Sequence, residues 1–155
     1  MATRTGPPPV EPIGLELSRT AKLLSRAFDD VLAAEGASLP IWLILVSVRS
    51  QQHAMQRDLA EALGIEGATL THHLGRMEAA GLVTRRRDPG NRRIQVVELT
   101  DEGTALFGRL VKTVSSFDER LRDGLSDRQI AVLRSTLGRL RQNTTGNPLP
   151  EGARS

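Results

Sequence analysis

QRDLAEALGIEGATLTHHLGRMEAAGLVTRRRDPGNRRIQVVELT, residues 56–100, decides the fold. Its first part, Gln56 to Leu63, sets Leu59 and Leu63 one helical turn apart and stops at Gly64. Gly67 to Ala80 repeats the arrangement, with Leu70, Leu74 and Met77 on one stripe and Gly81 at the stop. Glycine at both stops accepts the left-handed conformation that follows a last helical turn. After Gly81 the period changes from helical to alternating. Leu82–Arg87 and Ile94–Leu99 are runs rich in β-branched residues, separated by Asp88-Pro89-Gly90-Asn91, which predicts a hairpin with a loop longer than two residues.

The hairpin is also where the charge sits. Between Thr84 and Ile94 lie Arg85, Arg86, Arg87, Arg92 and Arg93 with only Asp88 opposing them, a local balance of +4 in a chain whose net charge is +3, so everything outside it sums to −1. A short basic cluster in a nearly neutral chain is the footprint of a polyanion partner, because phosphates attract Lys and Arg and release counterions on contact. Two short helices with a glycine turn, followed at once by a basic hairpin, make a winged helix-turn-helix.

Outward from this lobe the pattern is helical. Towards the N-terminus, Leu17, Ala21, Leu24, Phe28 and Val31 recur at steps of four and three up to a stop at Gly36. A helix from about Ser38, with Pro40 in its first turn, is apolar nearly all round through Trp42, Leu45, Val46 and Val48, and is expected to be buried. On the other side, Thr100 is an N-cap followed by Asp101 and Glu102, and Leu106, Leu110, Val114, Phe117 and Leu121 continue to about Gly124. Ser126 with Gln129 three residues on forms a capping box for a last helix carrying Ile130, Leu133, Leu137 and Leu140. The first and the last two helices carry longer apolar seams than the small core can cover, which points to a second copy of the chain.

These readings predict a mainly α protein with a small β-hairpin wing. A single domain is expected over 11–143, in which 38–100 is the winged helix-turn-helix lobe and 11–35 and 101–143 are dimerisation helices. Pro7, Pro8 and Pro9 at one end and Gly146, Pro148, Pro150 and Gly152 at the other mark 1–10 and 144–155 as disordered tails. At 155 residues there is room for one domain but not two. No apolar run has the length of a membrane span and the N-terminus lacks the apolar stretch of a signal peptide, so no membrane partner and a cytoplasmic location are expected. With no Cys there is no thiolate nucleophile, thiol redox sensor or zinc ribbon. His53, His72 and His73 are the only histidines, and neighbours on a helix diverge by about 100°. No metal site and no cofactor are expected, and with no catalytic spacing present, neither is an enzyme.

If the second helix of the motif enters the major groove with Leu70, Leu74 and Met77 turned inward, Ala68, Thr69, Thr71, His72 and Gly75 are left outward, with Arg76 towards the backbone. Ala and the Thr methyl suit a thymine methyl, Thr hydroxyls reach base edges or phosphate, and His72 can donate to guanine acceptors. Gln56 and Arg57, at the start of the preceding helix, are expected to face phosphate. Strand alternation sends one of Arg85, Arg86 and Arg87 away from the other two, so at least one serves the hairpin; Arg86 is assigned to DNA.

The stretch from Gln56 to Gly103 resembles the MarR family of bacterial transcription regulators, and the flanking helices match that family's layout along most of the chain. The family's wing pattern, Asp-x-Arg, five residues and Leu-Thr, reads here as Asn91-Arg92-Arg93-Ile94-Gln95-Val96-Val97-Glu98-Leu99-Thr100. Only the Asp departs, becoming Asn91; the resemblance implies a wing-bracing carboxylate there, and Asp88 is the available substitute. The resemblance further implies that Arg93 is a minor-groove probe, with Arg92 beside it on the backbone. It implies a homodimer on a pseudo-palindromic operator of double-stranded DNA, repressing until a small aromatic or anionic effector fills a crevice for which Phe28, Trp42 and His53 are the candidate lining residues. Two other readings fit the residues: a helical module whose basic hairpin docks acidic protein or RNA, and an architectural DNA protein without sequence preference.

Overall fold

A computed structural model describes residues 11–51 and 54–145. The elements follow in the order α1 (Ile13–Ala34), α2 (Leu39–Gln51), β1 (Ala54–Met55), α3 (Gln56–Leu63), α4 (Gly67–Ala79), β2 (Val83–Arg87), β3 (Gln95–Leu99), α5 (Asp101–Arg122) and α6 (Asp127–Thr145). The expected helices and hairpin are present, with boundaries shifted by a few residues. Of the tails expected over 1–10 and 144–155, residues 1–10 and 146–155 lie outside the described residues, whereas Thr144 and Thr145 belong to α6. Among the described residues no single helix is long and apolar enough to cross a membrane.

The chain divides into two compact units after Phe117. In the first, Leu32, Ile44, Leu45, Leu59, Leu70, Leu74 and Leu110 are fully buried in one cluster with Val48, Met77, Val83, Val97 and Leu106. α2 contributes Ile44, Leu45 and Val48 to this core, as its apolar circumference requires, although Leu43 remains exposed. α1 buries only Leu32 and leaves Ile13, Leu15, Leu17, Leu23 and Leu24 exposed. In the second unit, α6 begins with the predicted capping box, Ser126 N–H donating to Gln129 Oε1 at 2.8 Å and Gln129 N–H to Ser126 Oγ at 3.3 Å. It has no buried residue, and Val132 and Leu133 stand exposed.

The sheet has three strands in the order β1-β3-β2, all antiparallel, with Ala54 opposite Val97 and Arg85 also opposite Val97 on the other side. β1 is an addition to the predicted hairpin: two residues are too few to show a period, and they become a strand only because β3 has a free edge for them.

The base of the hairpin is bound to α5 by Thr100. Its Oγ1 donates to the Gly81 carbonyl at 2.5 Å and accepts the Gly103 N–H at 3.0 Å, while its own N–H donates to Leu82 O at 3.1 Å. Gly103 is buried, and a Cβ there would fall 1.9 Å from Leu82 O, so only glycine lets α5 start this close to the turn before β2.

Candidate nucleic-acid interface

α3 ends at Gly64 in the left-handed conformation, φ 64°, and α4 begins three residues later. Leu70, Leu74 and Met77 of α4 are buried with Leu59 of α3, so the 3.6-residue period turns the opposite face outward. Ala68, Thr69, Thr71, His72 and Arg76 are all exposed, and Gly75 is half-buried. The rings of His72 and His73 meet edge-on with centroids 5.9 Å apart, and no group of three or more His, Cys, Asp or Glu able to hold a metal occurs among the described residues.

Thr71 and Gln56 do more than face outward. The Thr71 hydroxyl donates to Gly67 O at 2.8 Å and accepts from Gln56 Nε2 at 2.8 Å, which joins the first residue of α3 to the first turns of α4. Gln56, expected to face phosphate, is half-buried in this joint, and its Oε1 is shut off from solvent with no hydrogen-bond partner among the described residues. Arg57 beside it projects outward with 90% of its side chain exposed, its Nε 3.7 Å from Asp58 Oδ1.

In the wing the five arginines divide into two groups. Arg85 is turned onto Glu78 at the end of α4, Nη2 to Oε2 at 2.6 Å and Nε to Oε2 at 3.0 Å. This guanidinium holds the Glu78 carboxyl below its ordinary range. Arg86, assigned to DNA from the sequence, is instead engaged across the hairpin by Glu98, with Nη2 to Oε1 at 2.7 Å and Nε to Oε2 at 3.1 Å, and that bond raises its already high pKa. The carboxylate takes the Nε and Nη2 donors, so that edge of the guanidinium is committed within the hairpin. Arg87, Arg92 and Arg93 are exposed, and their side chains form no ion pair among the described residues.

Arg92 and Arg93 belong to the loop over 88–94, longer than two residues as expected, and closed by Asp88 N–H to Ile94 O at 2.9 Å. Asp88 Oδ1 accepts the N–H groups of Gly90 and Asn91 at 2.8 and 2.9 Å, and Asn91 Oδ1 accepts the Arg93 N–H at 3.1 Å. The bracing carboxylate is therefore supplied from position 88, and Asn91 retains an acceptor that shapes the backbone of Arg93. Between the starts of α3 and α4 and this loop lies a cleft of about 820 Å³ lined by Gln56, Arg57, Thr71, Asn91, Arg93 and Ile94, among others.

The candidate effector residues are placed differently. Phe28 is half-buried with its ring 5.4 Å from that of Phe117, and Trp42 stacks on Phe107 at 5.8 Å with 14° between planes. All four aromatic rings of the chain are thus used in two packing pairs. His53 lies outside the described residues. The partners missed from the sequence are Glu78 and Glu98; the signal for both is a lone acid 7 or 12 residues from an arginine, which gains meaning only once the hairpin register is known.

The MarR family model matches residues 38–95. Over 134 residues the chain is 33% identical to the HTH-type transcriptional regulator PecS of Dickeya dadantii (strain 3937), covering 84% of this chain and 81% of PecS. Among solved structures, a mutant MarR from E. coli complexed with operator DNA superposes with a TM-score of 0.74 at 22% identity, over 84% of this chain and 94% of that one. BpsR of Bordetella bronchiseptica gives 0.75 at 23% identity, over 88% and 98%. These two likenesses speak to the fold, and PecS to kinship: the chain belongs to the MarR family of transcriptional regulators.

Proposed function

We propose that the protein is a homodimeric cytoplasmic repressor that binds a pseudo-palindromic operator in double-stranded DNA and is released by a small aromatic or anionic effector. The observation that carries the DNA reading is the pairing of one outward α4 face, Ala68, Thr69, Thr71, His72 and Arg76, with a wing loop whose Arg92 and Arg93 have no carboxylate partner among the described residues. In this reading α4 lies in the major groove, with Thr69 and His72 on base edges and Arg76 towards phosphate. Arg57 and Arg92 neutralise backbone phosphates, and Arg93 enters the minor groove. Gln56 and Arg86 brace the reading surface rather than touch DNA.

The E. coli MarR structure is a complex with operator DNA, and the DNA binding of BpsR is regulated by 6-hydroxynicotinic acid, a small aromatic acid. Both support the corresponding parts of the reading. The exposed leucines of α1 and the exposed Val132 and Leu133 of α6 support a second copy as the cover for those helices.

The test is enrichment of duplexes from a random-sequence library by the purified protein, followed by competition between enriched and scrambled duplexes at one salt concentration. A preference of at least about 10³-fold, with half-sites about 10 bp apart, is expected. Equal affinity for both duplexes overturns sequence-specific regulation in favour of architectural binding.

A further inference from the structure

Glu78 and Arg85 are not among the residues proposed to meet DNA, yet they join α4 to the wing. Glu78 follows the buried Met77 at the end of α4 and takes three hydrogen bonds from one residue of β2: Oε2 accepts Arg85 Nε at 3.0 Å and Nη2 at 2.6 Å, and Oε1 accepts the Arg85 main-chain N–H at 3.3 Å. The strand order makes β2 an edge of the sheet, so this main-chain donor has no strand to pair with on that side, and the carboxylate takes the place of one. The Arg85 side chain is only 22% exposed, less than half the figure for Arg86, whose partner Glu98 belongs to the hairpin itself. Among the described residues, Glu78–Arg85 is the ion pair that ties α4 to the wing.

We propose that Glu78 and Arg85 are positioning residues for DNA binding, holding the wing at one orientation to α4 so that Arg93 and the exposed face of α4 engage the same duplex together. The proposal rests on the reading that α4 and the wing both bind DNA. Its physical content is a chelate effect. When two contact groups belong to one rigid body, the second contact forms at high effective concentration; when the link between them is slack, each contact survives but the gain from making both is lost. Cutting the pair should therefore cost affinity only while the wing contact exists.

The experiment is a double-mutant cycle between the pair and the wing tip. Glu78→Gln and Arg85→Lys are each made in the wild-type and in the Arg93→Ala background. The probes are the duplex that the wild-type protein enriches from a random library and a scrambled duplex. Gln keeps the size of Glu78 and an acceptor for the main-chain N–H, but loses the charge that holds the guanidinium. Lys keeps the charge of Arg85 and loses its fork. Each substitution is expected to weaken binding to the enriched duplex about tenfold when Arg93 is present and less than about twofold when it is Ala. Arg85→Lys should leave the salt slope unchanged, because no cation is removed. Equal losses in both backgrounds, or no loss in either, overturn the proposal and leave the pair a support of the fold alone. A wild-type protein that does not distinguish the two duplexes overturns the DNA reading itself, a different failure. Melting curves of each variant accompany the titrations; if Glu78→Gln does not fold, Arg85→Lys decides, and if neither folds, the pair is structural and the proposal is wrong.

Discussion

The side-chain amide of Gln56 donates to the hydroxyl of Thr71 at 2.8 Å, while that hydroxyl gives its own proton to Gly67 O at 2.8 Å. Thr71 thus brings no free donor to a base, and among the described residues it is the Thr69 hydroxyl that remains uncommitted on the outward face of α4. The same bond fixes the first turns of α4 to the start of α3. Thr71→Val deletes the hydroxyl and leaves Gln56 Nε2 without its acceptor, so it should cost about 1 kcal/mol, a fall of a few degrees in melting temperature. Thr71→Ser keeps both bonds and should melt within about a degree of wild type.

Gly103→Ala sets two effects against each other. Helix propensity alone would favour Ala by about 1 kcal/mol. The added Cβ would stand 1.9 Å from Leu82 O, a carbonyl already holding the Thr100 N–H, so backbone must move. Overpacking of this kind costs about 1–3 kcal/mol, and because the neighbour is main chain the upper end applies. The variant should lose stability in urea unfolding, and a gain would show that α5 does not approach the wing as described.

The Glu78 carboxyl titrates below its ordinary value of 4.5, chiefly because Arg85 hydrogen-bonds its charged form. A depressed folded-state pKa contributes stability that is complete above the unfolded value and is lost as pH falls through the folded one. The melting temperature should therefore decline on acidification from just above pH 4.5 downward, and the decline should be shallower in Glu78→Gln. Identical pH profiles for wild type and variant would contradict the assignment.

Leu133 is 48% exposed on α6, a helix with no buried residue. If a second copy covers it, Leu133→Asp buries a charge at that interface and weakens association by several kcal/mol. Sedimentation should find a dimer for the wild type and a monomer for the variant; a stable dimeric variant would place the interface elsewhere.

What could be read from the sequence follows from what is periodic in it. The buried and exposed faces of α4 followed from Leu70, Leu74 and Met77 alone, and the caps at Thr100 and Ser126 from local spacing. Charge was harder, because a run of arginines looks uniform along the chain. Only the register, with Thr84 opposite Glu98 and Arg86 opposite Val96, reveals that Arg86 reaches a carboxylate diagonally across the hairpin. β1 was missed because two residues have no period, and the Gln56–Thr71 joint because it spans 15 positions between unlike side chains.

In the proposed complex α4 reads bases while the wing supplies charge, and a salt titration of His72→Ala and Arg93→Ala on enriched and scrambled duplexes tests this division most directly. Arg93→Ala removes an unpaired cation, so it should weaken both duplexes alike and reduce the salt slope by about one unit per subunit. If His72 meets a base edge, as proposed, His72→Ala should cost roughly 1–3 kcal/mol on the enriched duplex alone, with random binding and the salt slope nearly unchanged. If His72→Ala weakens both duplexes equally, His72 meets phosphate rather than a base, and the face of α4 assigned to the groove is the wrong one.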